Sequence, residues 1–135
     1  MSELPAIAPP VTLETKPFWD ATAEGRLVLP RCDGCATVIW YPRLFCPACS
    51  GTDVSWVDAA GTGTVYSCTV VRKGQGPFAD AVPYVVAYVE LDEGPRLLTN
   101  VVGCAPDDVA IGQGVSVTFA DTGKGSALPR FRPLP

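Results

Sequence analysis

The chain has 135 residues, of which 47% are hydrophobic, and this length suits one folded domain, or one domain with a small appendage. Its formal charge is -4 and its 10 basic residues are scattered along the sequence, which argues against a general polyanion binder. The chain contains no histidine, which excludes Ser–His and Cys–His dyads, histidine general bases and histidine metal ligands. Catalysis by this chain alone is therefore not expected.

Residues 1–14 are rich in proline and are interpreted as a flexible tail or linker. They lack the basic and apolar regions of a secretory signal. No stretch of the chain approaches the roughly 20 apolar residues that cross a bilayer. The expected compartment is therefore a reducing cytoplasm, where structural disulfides are rare.

Residues 15–30 are predicted to form a helical element. Thr15 can act as the N-cap, a proline lies in the first turn, and Gly25 ends the helix. Phe18 and Trp19 lie on this short helix, and two interpretations of them stay open. Either they pack on their own domain, or they anchor a contact with a partner protein.

Residues 31–56 are predicted to form a zinc ribbon, because they hold two C-x-x-C pairs separated by a short spacer. Each pair can fold into a tight knuckle that presents two thiolates, and four thiolates surround a Zn²⁺ ion tetrahedrally. One structural Zn²⁺ per chain is expected, and its predicted ligands are Cys32, Cys35, Cys46 and Cys49.

Other uses of these four cysteines differ in what they require of the surrounding sequence. A rubredoxin-type iron site has the same ligand set, and a site without metal or with disulfides also stays open. A thioredoxin-like redox pair would need an α/β context that the pattern lacks. A catalytic zinc would keep an open position, which four cysteines do not leave. Cys68 and Cys104 have no C-x-x-C partner and are interpreted as small buried hydrophobes.

Residues 57–135 have the pattern of an all-β domain, with short β-branched and aromatic runs between Gly- and Pro-rich loops. Five short strands in this length fit a small barrel, and a five-stranded OB-fold is the leading prediction. An SH3-like barrel stays open from the pattern alone. The predicted strands are 64–73, 84–91, 96–103, 115–121 and 128–134.

The succession of motifs resembles the DUF35 family over residues 16 to 133. It consists of "FWDATAEGRLVLPRCDGCATVIWYPRLFCPACSG", "WVDAAGTGTVYSCTVV", "PYVVAYVELDEGPRLLTNVVG" and "IGQGVSVTF". One departure is Ala36, where the family commonly has glycine after the first knuckle. The resemblance implies a mainly β protein with an N-terminal helical element, a rubredoxin-like zinc ribbon and an OB-fold.

The resemblance also implies a non-catalytic subunit in acyl-CoA metabolism. Such proteins associate with thiolase-superfamily enzymes, including thiolases and the thiolase-like aldolases of steroid side-chain breakdown, and help form the acyl-CoA site. Phe18, Trp19 and the ribbon would then dock the partner in a heteromeric complex. Because CoA carries phosphates, basic residues at strand ends and in the last loops are predicted to contact it: Arg72, Lys73, Lys124, Arg130 and Arg132.

Two other functions remain as alternatives. The same module also serves MaoC-type enoyl-CoA hydratases in this family. A nucleic-acid-binding module would also combine a zinc ribbon with an OB-fold, and it would show aromatic and basic residues on the binding strands. The barrel strands "YVVAYVEL" and "RLLTNVV" contain Tyr84 and Tyr88 but only one basic residue, Arg96, which argues against that role.

Overall fold

A computed structural model describes residues 4–135 of the chain. It is mainly β, with one short helix, a cysteine-bearing ribbon and a closed barrel of five strands. The predicted class is therefore confirmed. Residues 1–3 of the predicted tail lie outside the described residues. Among residues 4–135 no helix is long and apolar enough to span a bilayer.

Helix α1 comprises Lys16–Ala23 and begins after Thr15, as predicted. The Thr15 side chain does not cap a helical N–H; instead its hydroxyl accepts a hydrogen bond from the N–H of Thr12. Gly25 adopts a left-handed φ of 76° and donates its N–H to the carbonyl of Thr22. Since the next N–H, of Arg26, bonds the carbonyl of Ala21, the helix ends in a Schellman motif.

Strands β1 (Val28–Cys32) and β2 (Val54–Asp58) form an antiparallel two-stranded sheet that the sequence reading did not predict. The chain between them carries the cysteine knuckles, so the sheet is the base of the ribbon. Both strands run across the predicted limits of the ribbon, at residues 30 and 56. Those limits stay predictions.

The barrel consists of five strands: β3 (Thr62–Val71), β4 (Tyr84–Leu91), β5 (Arg96–Val101), β6 (Gly114–Asp121) and β7 (Ala127–Pro133). Their order is β3-β4-β5-β7-β6, closed by pairing of β6 with β3. Only the β5–β7 pair is parallel, and it joins Val101 to Phe131. All five strands were predicted to within two residues at each end, because alternation of apolar residues marks them clearly.

Packing joins the helix and the ribbon base to the barrel. Phe18 of α1 and Leu29 of β1 belong to the same buried cluster as Val89, Leu97 and Phe131 of the barrel. In addition, the N–H of Ala127 donates to the Thr22 hydroxyl, which fixes α1 against the start of β7. The elements therefore share one hydrophobic core.

Candidate metal centre and ligand cavity

The two C-x-x-C knuckles have matching backbone geometry. In the first, the N–H of Ala36 donates to the carbonyl of Cys32 at 2.8 Å, and in the second the N–H of Ser50 donates to the carbonyl of Cys46 at 2.8 Å. Ala36 and Ser50 both adopt left-handed backbone, with φ of 65° and 62°. This turn folds each pair back on itself, so that both sulfurs face the same point.

The four thiols form a closed cluster. Their sulfurs all lie within 4.8 Å of one another, and the Cys32–Cys49 and Cys35–Cys46 sulfur pairs are each 3.6 Å apart. Four sulfurs placed tetrahedrally at about 2.3 Å from one ion would be roughly 3.8 Å apart. The spacing therefore fits a four-thiolate metal site, and it is too long for disulfides, which need about 2.05 Å.

Electrostatics within the cluster favour a bound cation. The Thr37 hydroxyl and N–H hydrogen-bond to the Cys35 sulfur and, with Cys46, lower the pKa of Cys35 to about 6. For Cys49 the N–H of Gly51 lowers the pKa, but the neighbouring thiols of Cys32 and Cys35 raise it to about 12. Thiolates this close repel one another unless a positive ion lies between them. The cluster is thus a structural metal site with no open position.

The structure buries the two helix aromatics instead of exposing them. Phe18 is fully buried, and its ring packs edge-on against Trp19 and Trp40 at centroid distances of 4.7 and 5.3 Å. Trp19 is 7% exposed and donates its indole N–H to the Tyr41 hydroxyl. This placement agrees with the interpretation in which Phe18 and Trp19 pack on their own domain. Their role in partner contact stays a prediction.

Exposed apolar side chains lie instead on the segment between the knuckles. Tyr41, Leu44 and Phe45 are 38%, 58% and 48% exposed. The N–H of Leu44 donates to the Glu14 carboxylate, which holds this segment against the stretch before α1. The sequence indicates such a surface, because the apolar segment "VIWYPRLF" is too short to form a core of its own. We call Tyr41, Leu44 and Phe45 the ribbon patch.

Of the five predicted CoA-contacting cations, four are exposed: Arg72, Lys73, Lys124 and Arg132. The structure does not gather them. Arg72 makes an ion pair of 2.6 Å with Asp107, and Lys124 lies in the loop between β6 and β7. Arg130 differs from the rest because it is only 7% exposed. It borders two neighbouring cavities, which are described next.

The larger cavity has a volume of about 650 Å³ and lies beside strands β4 to β7. Its walls are mostly apolar, including Ala81, Val85, Val101 and Phe119, and Leu4 and Ala6 lie against it. A smaller cavity of about 260 Å³ lies between α1, the ribbon and the barrel, and aromatic rings of α1 and the ribbon face strands β5 and β7 across it. Arg130 stands between the two.

Fold and site together define a two-module protein in which a metal-clipped ribbon precedes an OB barrel. Two family profiles match it in the same order. "ChsH2, rubredoxin-like zinc ribbon domain" covers residues 19–55, and "ChsH2, C-terminal OB-fold domain" covers residues 56–120. A "DUF35 domain-containing scaffold protein" of Methanocaldococcus jannaschii is 38% identical, over 69% of this chain and 67% of the relative. The chain belongs to the DUF35 family.

Two further relatives indicate the context in which such chains occur. The solved "Ltp2-ChsH2(DUF35) aldolase" has a chain that is 41% identical, with a TM-score of 0.83 over 93% of this chain and 98% of that one. A "Probable enoyl-CoA hydratase alpha subunit" of Thermomonospora curvata is 46% identical over 86% of this chain. The chain spans only 36% of that relative's length.

Proposed function

We propose that this chain is a non-catalytic subunit that docks on a thiolase-superfamily enzyme and helps form its acyl-CoA site. The partner would be a thiolase or a thiolase-like aldolase, such as those of steroid side-chain degradation. The observation that carries the proposal is the similarity, over nearly the whole length of both chains, to the ChsH2 chain of an aldolase complex. The partner supplies the catalytic groups, since this chain has no histidine.

The metal in this proposal is one structural Zn²⁺ held by Cys32, Cys35, Cys46 and Cys49. Four sulfur donors and a closed site are typical of structural zinc. Zinc would supply fixed geometry and no chemistry. Because the ribbon patch lies between the knuckles, the clip would hold Tyr41, Leu44 and Phe45 in one arrangement toward a partner.

The ribbon patch is the surface that we assign to docking. Large apolar side chains exposed together mark protein interfaces. The Arg43 guanidinium lies 6.0 Å from the Phe45 ring centroid, at the outer limit of a cation–π contact. The buried Phe18 and Trp19 would support the patch from the interior of the protein. The Trp19 indole N–H donates to the Tyr41 hydroxyl and so orients one member of the patch.

The acyl-CoA site would be shared with the partner and would use basic residues of the barrel. Arg72, Lys73, Lys124, Arg130 and Arg132 stay the proposed contacts for the phosphates of CoA. Since four of them are spread over the surface, the partner must complete any phosphate site that they form.

Affinity capture from lysate of the native host tests the proposal. The tagged chain should recover a thiolase-like protein, identified by mass spectrometry. We expect Leu44→Ser to weaken this recovery at least ~10-fold, because it removes an apolar side chain from the centre of an interface. Ile111→Ser is the control, since Ile111 is 70% exposed in the turn before β6 and lines neither cavity, while Leu44 is 58% exposed. Recovery of no acyl-CoA enzyme, or equal loss in both variants, would contradict the proposal.

A second candidate is favoured by the hydratase α-subunit of Thermomonospora curvata, which is 46% identical to this chain. In this reading the partner is a MaoC-type enoyl-CoA hydratase, and the same capture experiment would recover it in place of a thiolase.

A nucleic-acid module is the remaining alternative. Tyr66 and Tyr88 are exposed on the barrel, and Arg96 lies 3.8 Å from the Tyr66 ring. Salt-sensitive binding of single-stranded oligonucleotides would support it.

A further inference from the structure

Arg130 is a buried cation without a charged partner among residues 4–135. It lies on β7 and is only 7% exposed. Its two terminal nitrogens donate to the backbone carbonyls of Leu4 and Pro5, the first at 3.2 Å. Its Nε is buried and has no hydrogen-bond acceptor in the described part of the chain. No carboxylate of that part forms an ion pair with it.

In this arrangement the positive charge of the Arg130 guanidinium is only partly offset by its neighbours. Arginine offers five N–H donors in a planar fork, and the fork matches a carboxylate or a phosphate. A buried charge is normally paired, because removal from water is expensive and neutral carbonyls repay only part of that penalty. Burial also lowers the pKa of the Arg130 guanidinium, which records how poorly this position solvates the charge. An anion would relieve the imbalance.

The cavity beside Arg130 indicates what kind of molecule would carry this anion. The cavity of about 650 Å³ beside it is walled by apolar side chains such as Val85, Val101 and Phe119. Asp121, also on its lining, is exposed to solvent and makes no ion pair with Arg130. A small ion would leave these apolar walls uncovered. A molecule with one anionic end and an apolar body would satisfy both the guanidinium and the walls.

The segment Leu4–Ala6 occupies the position from which such a ligand would reach Arg130. Leu4 and Ala6 line the cavity, and the carbonyls of Leu4 and Pro5 accept the hydrogen bonds of the guanidinium. The contact uses backbone oxygens, which are weaker partners for a guanidinium than ionised oxygens. Few tertiary bonds would have to break for this segment to leave.

We infer that Arg130 is the anion-binding residue of a site for an amphiphilic anion, and that residues 4–6 cover this site until the ligand displaces them. The carboxylate or phosphate of the ligand takes the place of the Leu4 and Pro5 carbonyls. Its apolar part lies along Val85, Val101 and Phe119. This inference concerns a residue that the proposed function assigns to CoA, and it goes further because the ligand binds this chain without a partner enzyme.

The test is calorimetric titration of the full-length, metal-loaded chain with octanoate, octyl phosphate and octanol. We expect both anions to bind and octanol to bind at least ~10-fold more weakly, because it lacks the charge-assisted pairing. A tighter complex with octyl phosphate assigns the site to phosphates, and a tighter complex with octanoate assigns it to carboxylates. Equal binding of octanol, or no binding of either anion, would overturn the inference.

Two variants separate Arg130 from the other arginines. Arg130→Gln should lose anion binding at least ~10-fold, since it removes the charge and the fork. Arg26→Gln is the control, because Arg26 is exposed, does not line the cavity and is not a proposed CoA contact, and it should bind as the wild type does.

A measurement on the unaltered chain guards against misfolding of Arg130→Gln. Nuclear magnetic resonance of the Arg130 Nε–H should show a downfield shift when octanoate is added, as a new acceptor reaches this donor. Amide signals of residues 4–6 should move in the same titration. A fixed Nε–H signal under saturating octanoate would contradict the site. Because no partner enzyme is present, failure here would leave the capture experiment for the proposed function unaffected.

Discussion

Two left-handed residues are the points at which single side chains influence the metal ribbon. Ala36 and Ser50 occupy equivalent positions in the two knuckles, and each follows the second cysteine of its pair. A side chain at this φ brings Cβ close to the backbone, which costs about 1–2 kcal/mol for a residue other than glycine. The turn persists because two backbone hydrogen bonds per knuckle hold it, including those from Cys32 to Thr37 and from Cys46 to Gly51.

We therefore expect Ala36→Gly to stabilise the protein. Glycine adopts a φ of 65° without strain, and a gain of about 1 kcal/mol should remain after the extra freedom of the unfolded chain is subtracted. Thermal unfolding of the metal-loaded chain measures the gain. Ala48→Gly is the control, because Ala48 lies inside the second knuckle and has no left-handed backbone, and it should lower the stability. If both changes lower the melting temperature, the strain argument is wrong.

Residue roles were predictable where they depend on local spacing and unpredictable where they depend on the tertiary structure. The two C-x-x-C pairs named all four cysteines of the cluster, because each knuckle is built within a few residues. The burial of Phe18 arises from contacts with Trp40, which lies 22 residues further on. The isolation of Arg130 depends on residues 4 and 5, at the opposite end of the chain. No local pattern carries that information.

At the scale of elements, the ribbon is the part that depends most on its metal. Its own buried cluster contains only Cys32, Ile39 and Cys46, and two of those three are ligands. The sheet β1–β2 escaped prediction because "LVLPRC" contains a proline inside the strand and follows a helix signal directly. That strand is held by pairing with β2 across 21 intervening residues, so its formation is a tertiary event.

Loss of one ligand should thus unfold the ribbon. We expect Cys46→Ser to purify with less than ~0.2 metal ions per chain, since structural zinc supplies on the order of 10 kcal/mol to a small motif. Elemental analysis measures the metal, and heteronuclear spectra show which amide signals disperse. The barrel amides should stay dispersed while those of residues 33–53 collapse. Recovery of one ion per chain in this variant would contradict the assignment.

Cys104→Ser is the matched control for that experiment. Cys104 is a free, half-buried thiol outside the cluster, and burial, with the nearby Asp108, raises the pKa of its thiol. It should retain the full metal content and a dispersed ribbon spectrum. A parallel loss of metal in Cys104→Ser would mean that any thiol substitution disturbs the fold, and it would remove the argument for a specific site.

At the scale of the whole molecule, the ribbon and the barrel share one hydrophobic core, although two separate family profiles match them. Phe18 from α1 and Leu29 from β1 pack with barrel residues in a single buried cluster, and Trp40 and Trp56 of the ribbon lie against it. The strands of the barrel were predictable because their alternation is local. Their assembly with α1 was not, since only the folded molecule brings Thr22 to Ala127. The ribbon and barrel are therefore expected to lose stability together when this joint is damaged.

Phe18→Ala tests that coupling. Removal of a fully buried ring should lower the free energy of unfolding by about 3–5 kcal/mol, measured by urea denaturation, and should loosen the ribbon as well as the barrel. Phe45→Ala is the matched control, because Phe45 is 48% exposed, and its effect on stability should stay within about 0.5 kcal/mol. A change below about 1 kcal/mol for Phe18→Ala would show that its ring is not part of a shared core.

The closed barrel has a consequence for how this protein can associate. Two seams of the ring are short, since β3 pairs with β6 only through Thr62–Thr64 and β5 pairs with β7 only at Val101 and Phe131. Residues 67–71 of β3 and 96–100 of β5 therefore have a neighbouring strand on one side only. A partner that adds a strand to this sheet, which is a common mode of recognition, must pair at one of these two stretches. Elsewhere contact with the barrel is made by side chains, and such a complex can form and separate while every barrel strand keeps its neighbours.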